Sequence, residues 1–436
     1  MDDRTLSYGE SIDWLFNLQF FGVKLGLENI RALAEAWGNP ELRYPVVHVA
    51  GTNGKGSTAS FIAAALQAAG YRTGLYTSPH LVDFTERIRV DGVPIAPQRV
   101  AEYAQRLRPD VERHNATFFE ATTLMAFQYF AECGVDAAVI ETGLGGRLDA
   151  TNIVEPALCV ITSLSLDHRE HLGDTIADIA REKAGIIKRG VPAVVAPAVP
   201  AAGDVITTRC REQDAPLEIL PAGGEVHAWR DLNAMDCLLP EFPDPVCLGL
   251  VGGHQIENAR LAVRALRQLG RTGFPRLDDD AVREGLSDVR RRSGLRGRLE
   301  RLQEHPELVI DVGHNPEGIR VMMETWTALR DPRETDFVFG VLKSKDLRAM
   351  FSVLAHIPIR SLTLVEADSH EAQSLDQMLV SAREAGLPAV TASSVSDGVA
   401  ALLDASGADS ILLFGSHYVV GSYLRQWHDS HDRNKN

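Results

Sequence analysis

A glycine-rich stretch near the start of the chain has the composition of a phosphate-binding loop. Residues 48–58 read HVAGTNGKGST, so one lysine lies among three glycines and two hydroxyl residues follow. The usual P-loop pattern is not met, because Val49 occupies the place of its first glycine and Gly56 separates Lys55 from the hydroxyls. Backbone N–H groups of such a turn, together with a helix N-terminus, attract an anion. The stretch therefore predicts either a variant nucleotide site or an ordinary glycine turn.

Carboxylate and imidazole groups follow two further apolar runs. Glu141 ends the run in DAAVIETGLGG, and Asp167, His168 and His171 follow the run in ITSLSLDHREHLG. Residues that follow parallel strands meet at one edge of the sheet. A carboxylate at that edge suits a metal ion beside a nucleotide, and a histidine near it is a candidate metal ligand. The alternatives are a solvated strand-end glutamate and a histidine whose hydrogen bonds are satisfied within the structure.

Lys183 lies within the apolar stripe of a predicted helix. Over residues 175–187, Ile176, Ile179, Ala180 and Ile187 recur at helical spacing, and the lysine falls inside their stripe. An inward-facing ammonium group is costly unless its charge is paired or removed. Its tip could form a salt bridge while its stem lies along the apolar surface. Alternatively, addition of CO₂ to the amine would give an anionic carbamate that can bind metal, and the residues alone do not decide between these two.

Polar residues also lie at strand ends or turns in the second half of the chain. They are Asp311 and His314 in DVGHNPEG, Gln255 and Asn258 in HQIENA, Arg298 in LRGRLE, and Ser416 and His417 in FGSHYVVG. Each of them could be a helix cap or a turn residue. Their shared position also suits a ligand that is held between two domains.

Alternating strand and helix patterns position these residues. The pattern predicts an α/β protein with an N-terminal, P-loop-type, mostly parallel sheet covered by helices on both faces. A smaller, Rossmann-like C-terminal α/β domain follows it. We predict an N-terminal domain over residues 1–292, with a small antiparallel β addition near residues 217–250. A linker is expected over 293–298, and the C-terminal domain over 299–436.

Composition excludes several classes of function. The 436 residues carry a formal charge of −15, which argues against a nucleic-acid or anionic-membrane surface. The acidic start lacks the apolar segment of a signal peptide, and no apolar run is long enough to span a membrane. Five cysteines without a C-x-x-C pair are typical of buried thiols in a reducing compartment. We expect a cytoplasmic monomer without nucleic-acid or membrane partners.

The chain resembles the folylpolyglutamate synthase/dihydrofolate synthase family, the folate branch of the Mur ligase superfamily. The resemblance runs from end to end. It is carried by FGVKLGLENI, HVAGTNGKGST, YTSPHLVDFTERIRVDG, FFEATT, ETGLGGRLDATNI, LDHREHLG, IAREKAGIIK, HQIENA, GRLE, DVGHNPEG and GSHYVVG. It implies that GTNGKGS is the Mur-type variant of the phosphate loop, and it favours the carbamate at Lys183.

The resemblance also implies a role for each matching residue. The ATP-binding residues would be Gly51, Thr52, Asn53, Gly54, Lys55, Gly56, Ser57 and Thr58, with Asn258, Arg298 and Asp311. One Mg²⁺ would lie at Ser78 and Glu141, and a second at Glu141, His168 and carbamylated Lys183. The catalytic set would be Lys55, Glu141, His168 and Lys183. The pterin-side pocket would comprise Gly22, Val23, Lys24, Leu25, Thr117, Phe118, Phe119, Glu120, Leu148, Asp149 and Ala150. His314 and Ser416 would bind the incoming glutamate.

The activity implied is ATP-driven amide formation between L-glutamate and dihydropteroate or a folate, with both activities expected in one enzyme. A carboxylate of the pterin substrate would be phosphorylated, and the amine of glutamate would displace the phosphate while the second domain closes over the site. Two alternatives are a Mur-type ligase acting on a cell-wall precursor and a nucleotide-binding regulator without ligase turnover. Only 50 residues precede Gly51, fewer than a separate UDP-binding domain needs.

Overall fold

The computed structural model describes residues 6–18, 26–405 and 407–433. Its contacts divide the chain into two compact units. The first comprises the described residues of Met1–Gly224, Leu239–Pro243 and Glu257–Leu295, and the second comprises those of Glu225–Leu238, Asp244–Ile256 and Arg296–Asn436. Neither unit is continuous in sequence.

The first unit is built on an eight-stranded sheet in the order β4-β3-β2-β5-β1-β6-β7-β8. Its strands are β1 (Val46–Ala50), β2 (Thr73–Tyr76), β3 (Ile88–Val90), β4 (Val93–Pro94), β5 (Ala137–Glu141), β6 (Leu158–Ile161), β7 (Ala193–Val195) and β8 (Leu217–Ile219). All neighbouring pairs from β2 to β8 are parallel, and β3 and β4 form an antiparallel edge. The four buried strands β2, β5, β1 and β6 therefore end side by side, which places the residues after them at one edge.

Helices cover this sheet. They are α1 (Tyr8–Asn17), α2 (Glu28–Ala36), α3 (Lys55–Ala68), α4 (Pro97–His114), α5 (Phe118–Cys133), α6 (Arg169–Leu172), α7 (Ile176–Ala184), α8 (Pro200–Glu212), α9 (Gly253–Thr272), α10 (Asp279–Ser287) and α11 (Val289–Ser293). The first turn of α9, up to Ile256, groups with the second unit. One apolar core joins α1, α2, α4 and α5 to the sheet, and a second joins β6 and β7 to α8 and the end of α7. Helix α3 is buried from Gly56 to Leu66, which explains its alanine-rich, small-residue composition.

The second unit contains two sheets. Three antiparallel strands form the smaller one, namely β9 (Glu225–Arg230), β10 (Ala234–Leu238) and β11 (Val246–Leu248). The larger has the order β12-β13-β17-β14-β15-β16 and is parallel except for β12. Its strands are β12 (Glu300–Glu304), β13 (Glu307–Ile310), β14 (Thr335–Phe339), β15 (Ser361–Leu364), β16 (Ala389–Thr391) and β17 (Ser410–Phe414). Its helices are α12 (Pro316–Leu329), α13 (Leu347–Ala355), α14 (Leu375–Glu384), α15 (Val395–Asp404) and α16 (His417–Arg433).

The predicted α/β class with a large, mostly parallel sheet and a smaller C-terminal α/β sheet is confirmed. Two local interpretations need correction. Strands β9, β10 and β11 of the small β addition group with the second unit, within which Asp231 accepts hydrogen bonds from Arg301 and Arg330, each at 2.6 Å. Strand β8 lies within residues 217–250 but extends the large sheet in parallel.

The arginine-rich segment that leads into the predicted linker is helical. Val289–Ser293 forms α11, which ends at Gly294 with a positive φ of 69°. The rest of the predicted boundary over residues 293–298 stays a prediction. Among the residues that the structure describes, no helix has both the length and the apolar character needed to cross a membrane.

Candidate active site

The glycine-rich loop connects the central strand β1 to the N-terminus of α3. Gly54 is the N-cap of that helix, with φ of 83°, and Lys55 is its first residue. A Cβ on Gly54 would lie 2.2 Å from Oδ1 of Asn258, so there is no space for a side chain at this position. The positive φ also favours glycine there. The Lys55 amine lies back over the loop and donates to the Thr52 carbonyl at 3.3 Å. Strand, turn and helix N-terminus thus form the predicted anion-binding arrangement.

Residues directly after β6 hold this loop in place through hydrogen bonds. Thr162 donates to the Asn53 carbonyl at 2.7 Å, and the Thr52 hydroxyl donates to the Ser165 carbonyl at 3.1 Å. Asn53 and Ser163 also form an isolated antiparallel bridge. These serine and threonine positions were missed from the sequence. The available signal was the run TSLS directly after a strand that neighbours β1.

Replacement of Gly54 by alanine is expected to weaken ADP binding about tenfold, because a Cβ there would overlap Asn258 Oδ1 and force the phosphate loop to shift. The αL conformation adds a cost of about 1–2 kcal/mol to the fold in this variant and in its control alike. Isothermal titration calorimetry measures the effect. Gly190→Ala is the matched control, because Gly190 has a similar φ of 71° but faces open space. Equal ADP affinity in Gly54→Ala and Gly190→Ala would contradict the role given to the loop.

Ser78 and Glu141 meet at the same edge of the sheet. Ser78 follows β2, Glu141 is the last residue of β5, and these two strands are neighbours. The Ser78 N–H donates to Glu141 Oε2 at 3.1 Å. Glu141 is buried, with 3% of its surface exposed. The structure therefore brings together the two residues assigned to one metal site.

Lys183 faces inward, as its place in the apolar stripe predicts. It lies on α7 with only 3% of its surface exposed, and its amine donates to the Gly51 carbonyl at 2.7 Å. Burial, with Lys55 as a second cause, lowers the pKa of Lys183 to about 7. No ion pair is formed by this amine within the described part of the chain. The salt-bridge alternative is therefore not what holds Lys183.

His168 lies beyond β6 in a left-handed conformation, with φ of 50°, immediately before α6. Its Nε2 is 3.9 Å from Oδ1 of Asp167, and its side chain is 37% exposed. The described residues hold no group of three or more His, Cys, Asp or Glu that could bind a metal ion. A metal bound here would therefore depend on other ligand types, such as the Ser78 hydroxyl or a group derived from Lys183.

Several pterin-side residues make contacts within the protein. Thr117 and Glu120 form a reciprocal capping box at the start of α5 and are buried. Phe119 packs near Tyr76, with ring centroids 6.1 Å apart, and Leu148 is half-buried. Asp149 and Ala150 are 5% and 6% exposed. Gly22, Val23, Lys24 and Leu25 lie outside the described residues, and the pocket as a whole stays a prediction.

An aromatic and cationic cluster near Phe118 was not found from the sequence. The Phe16 and Phe118 rings stack at 5.6 Å, and the Arg87 guanidinium lies 5.2 Å from the Phe118 ring centroid. Arg87 Nε also donates to Nδ1 of His80 at 2.8 Å. These residues come from three separate segments, so only the fold brings them together. A planar, partly anionic ligand suits such a surface.

The remaining candidates divide between the two units. Thr58 donates to Asn258 Oδ1 at 3.4 Å in the first unit, which places Asn258 beside the phosphate loop. In the second unit, Asp311 accepts from the N–H of Leu299, the residue that follows Arg298, at 2.9 Å. His314 lies with its ring centroid 5.3 Å from that of His417, and Ser416 caps the start of α16. DVGHNPEG and GSHYVVG are thus adjacent, because β13 and β17 pair in parallel.

Family models match both parts of the chain. The Mur ligase middle domain matches residues 49–266, and the Mur ligase glutamate ligase domain matches residues 297–417. A phosphate-loop α/β unit followed by a glutamate ligase domain defines the chain as a Mur ligase.

Comparison with known sequences and structures indicates to which branch of the Mur ligases the chain is similar. The dihydrofolate synthase/folylpolyglutamate synthase of Bacillus subtilis (strain 168) is 38% identical over 370 residues, which cover 80% of this chain and 83% of that protein. The structure of Mycobacterium tuberculosis folylpolyglutamate synthase complexed with ADP has a TM-score of 0.86 at 31% identity, covering 96% of this chain and 99% of that chain. Escherichia coli FolC in complex with DHPP and ADP has a TM-score of 0.84 at 29% identity, covering 99% and 100%.

The chain belongs to the folylpolyglutamate synthase/dihydrofolate synthase family of the Mur ligase superfamily. The resemblance read from the motifs is confirmed. Membership of this family favours the folate ligase over the Mur-type ligase that acts on a cell-wall precursor.

Proposed function

We propose that this chain is an ATP-dependent ligase that adds L-glutamate to dihydropteroate and to folates, acting as dihydrofolate synthase and folylpolyglutamate synthase. One observation carries the proposal for this member of the family. The phosphate loop, the Ser78–Glu141 pair and the buried Lys183 amine lie at the ends of neighbouring parallel strands or contact them directly. A site of this kind can hold ATP and a metal ion together, which supports activation of a carboxylate by ATP.

The loop residues Gly51 to Thr58 would hold the triphosphate of ATP. Their backbone N–H groups and the N-terminus of α3 supply positive potential, and Lys55 can turn from the Thr52 carbonyl toward the terminal phosphates. Asn258 lies against Gly54 and would contact the nucleotide from the side. Arg298 and Asp311 keep their predicted role as further nucleotide contacts.

The residues present fit Mg²⁺. A buried carboxylate at Glu141 and the nearby Ser78 offer hard oxygen ligands for a first ion, and Glu141 with His168 and a carbamate on Lys183 would hold a second. Bound there, Mg²⁺ would offset the negative charge that builds up during phosphoryl transfer. Because the Lys183 amine lies 2.7 Å from the Gly51 carbonyl, a carbamate on it would lie beside the phosphate loop.

The environment of Lys183 favours carbamate formation. CO₂ reacts with a neutral amine, and a pKa of about 7 leaves about half of the amine neutral at pH 7. An exposed lysine would be neutral in fewer than about one molecule in a thousand at that pH. The carbamate N–C bond replaces one N–H bond, and the remaining N–H can still donate to the Gly51 carbonyl.

The reaction would proceed in two balanced steps. A carboxylate oxygen of the pterin substrate attacks the γ-phosphorus, which gives an acyl phosphate and ADP. The glutamate amine then attacks the acyl carbon, the C–O bond to phosphate breaks, and the amine loses a proton. Thr117 to Glu120 and Leu148 to Ala150 would form the pterin side, and His314 and Ser416 would bind glutamate. A cytoplasmic location and a monomeric state remain predictions, and the five free thiols support the first.

ADP release in the presence of Mg²⁺ and ATP tests this function. Turnover is expected only when a pterin acceptor and L-glutamate are both present, and mass spectrometry of the product should show one added glutamate. Dihydropteroate and a reduced folate, assayed separately, report the two activities. ATP turnover that ignores both substrates would overturn the ligase and favour the nucleotide-binding alternative.

A further inference from the structure

A buried chain of three polar side chains joins β1 to the glycine-rich loop that follows β5. His48 Nε2 lies 2.8 Å from the Thr151 hydroxyl, and that hydroxyl donates to Asp149 Oδ1 at 2.5 Å. His48 and Thr151 have no exposed surface, and Asp149 is 5% exposed. His48 lies three residues before Gly51, where the phosphate loop begins. None of the roles proposed above involves His48 or Thr151.

The hydrogen bonds specify the tautomer of His48. Both oxygens of Asp149 already accept backbone N–H groups, from Thr151 at 3.0 Å and from Leu144 at 2.8 Å. Burial raises the pKa of Asp149, while the hydrogen bonds that it accepts from Thr151 and from backbone N–H groups lower it and favour the carboxylate. With the carboxylate accepting the Thr151 proton, the hydroxyl oxygen accepts from His48 Nε2–H. His48 Nδ1 is then an unprotonated acceptor, and it has no hydrogen-bond partner within the described residues. Burial, with the nearby charge of Lys188, lowers the pKa of His48 to about 3 and keeps the ring neutral.

The loop held by Asp149 has no free space on either side. A Cβ on Gly143 would lie 2.5 Å from the ring of Phe119. On the other side, a Cβ on Gly146 would lie 3.0 Å from the Lys183 carbonyl, and the Arg147 N–H donates to the Glu182 carbonyl at 2.7 Å. The loop thus lies between the predicted pterin side and the helix that carries Lys183. A shift of the loop backbone would therefore displace the residues on both sides of it.

We propose that His48, acting through Thr151 and Asp149, is a positioning residue that fixes this loop and thereby the pterin-side pocket relative to the phosphate loop. The inference rests on the proposed function, because it assumes that Phe119 and residues 148–150 bind the pterin substrate. Loss of the His48 donor removes one of the two hydrogen bonds that orient the Thr151 hydroxyl, and it leaves Asp149 less firmly held. The expected consequence is weaker binding of the acceptor with little effect on ATP.

Steady-state kinetics of two His48 variants test the proposal. His48→Met fills a similar volume without a donor and should raise the KM for dihydropteroate about tenfold, while the KM for ATP changes by less than about twofold. His48→Gln places an amide N–H near the position of Nε2 and should stay close to the wild type. The proposal would be overturned if His48→Met and His48→Gln had equal KM values for dihydropteroate. It would also be overturned if His48→Met raised the KM for dihydropteroate and the KM for ATP by the same factor.

Thr151 provides a second test if His48→Met does not fold. Thr151→Val keeps the side-chain shape and removes both hydroxyl bonds, so it should reproduce the effect, whereas Thr151→Ser should not. The double variant His48→Met/Thr151→Val should have a KM for dihydropteroate no higher than that of either single variant, because each single change already interrupts the same series of hydrogen bonds. Additive increases in KM would show that His48 and Thr151 act separately, and they would overturn the proposal that both act through one series of hydrogen bonds.

The tautomer gives a readout that does not depend on activity. The ¹⁵N resonances of His48 are assigned in histidine-labelled wild type as those that disappear in His48→Gln. Their chemical shifts should be those of a ring with a protonated Nε2 and an unprotonated Nδ1, and they should not change between pH 5 and 8. A protonated Nδ1 or a titrating ring would overturn the assignment. Lack of wild-type turnover would instead count against the proposed function alone.

Discussion

Replacement of Lys183 by alanine is expected to abolish glutamate-dependent ADP release, and excess bicarbonate is not expected to restore it. The variant removes the amine that would carry the carbamate, and with it an anionic ligand of the second Mg²⁺ site. The amine is buried and donates to the Gly51 carbonyl, so its loss also leaves a cavity beside the phosphate loop. Turnover measured by coupled ADP detection checks the prediction, and full activity in Lys183→Ala would end the carbamate proposal.

Direct detection separates the carbamate from a structural role of the amine. Wild type incubated with ¹³C-bicarbonate should give a carbamate carbon resonance that is missing in Lys183→Met. Because carbamate forms from the neutral amine and the pKa of Lys183 is lowered to about 7, the signal should grow as the pH rises through that value. Lys188→Met is the matched control, since Lys188 is a half-buried lysine whose pKa burial also lowers, and its removal should leave the signal in place.

Glu141→Gln is expected to remove most of the Mg²⁺ dependence of ATP binding while the fold survives. Glutamine keeps an oxygen that can accept the Ser78 N–H, so the change removes a charge and little else. A carboxylate is a far stronger ligand for a hard cation than an amide, and a loss of about 100-fold in Mg²⁺-dependent affinity is expected. Calorimetric titration of an ATP analogue with and without Mg²⁺ measures this difference.

Glu182→Gln serves as the control for this charge change. Glu182 also belongs to the first unit, but its carboxylate pairs with Arg147 at 2.8 Å and takes no part in the proposed metal sites. Its variant should keep the Mg²⁺ dependence of the wild type. Unchanged nucleotide affinity in Glu141→Gln would count against the metal role of Glu141.

Local pattern predicted those features that depend on neighbouring residues in sequence. Alternating apolar strands and helices gave the α/β class, and the glycines with Lys55 gave the turn between β1 and α3. The position of Lys183 in an apolar stripe predicted its burial, because helical periodicity alone determines which side chains face inward. Glu141 was predicted at the functional edge of the sheet because it ends an apolar strand, and parallel strands end at a shared edge.

Features that depend on pairing between distant segments could not be predicted in this way. Strand β8 is only three residues long, and nothing in LEI indicates that it pairs in parallel with β7. The contacts of Phe118 with Phe16 and Arg87, and of His80 with Phe16, join segments that are separated by up to about a hundred residues, so no periodicity reports them. The same holds for the His48–Thr151–Asp149 chain, whose members look in sequence like ordinary strand and turn residues.

The two compact units are interleaved along the polypeptide, which passes from one to the other five times. No single cut, whether made by a protease or by a truncated gene, can release either unit whole. A fragment ending near residue 292 would carry Glu225–Leu238 without Arg301 and Arg330, and would expose Asp231 with nothing to neutralise it. Separate expression of the halves should therefore give insoluble material, and an inserted reporter domain is better tolerated at an exposed turn inside one unit.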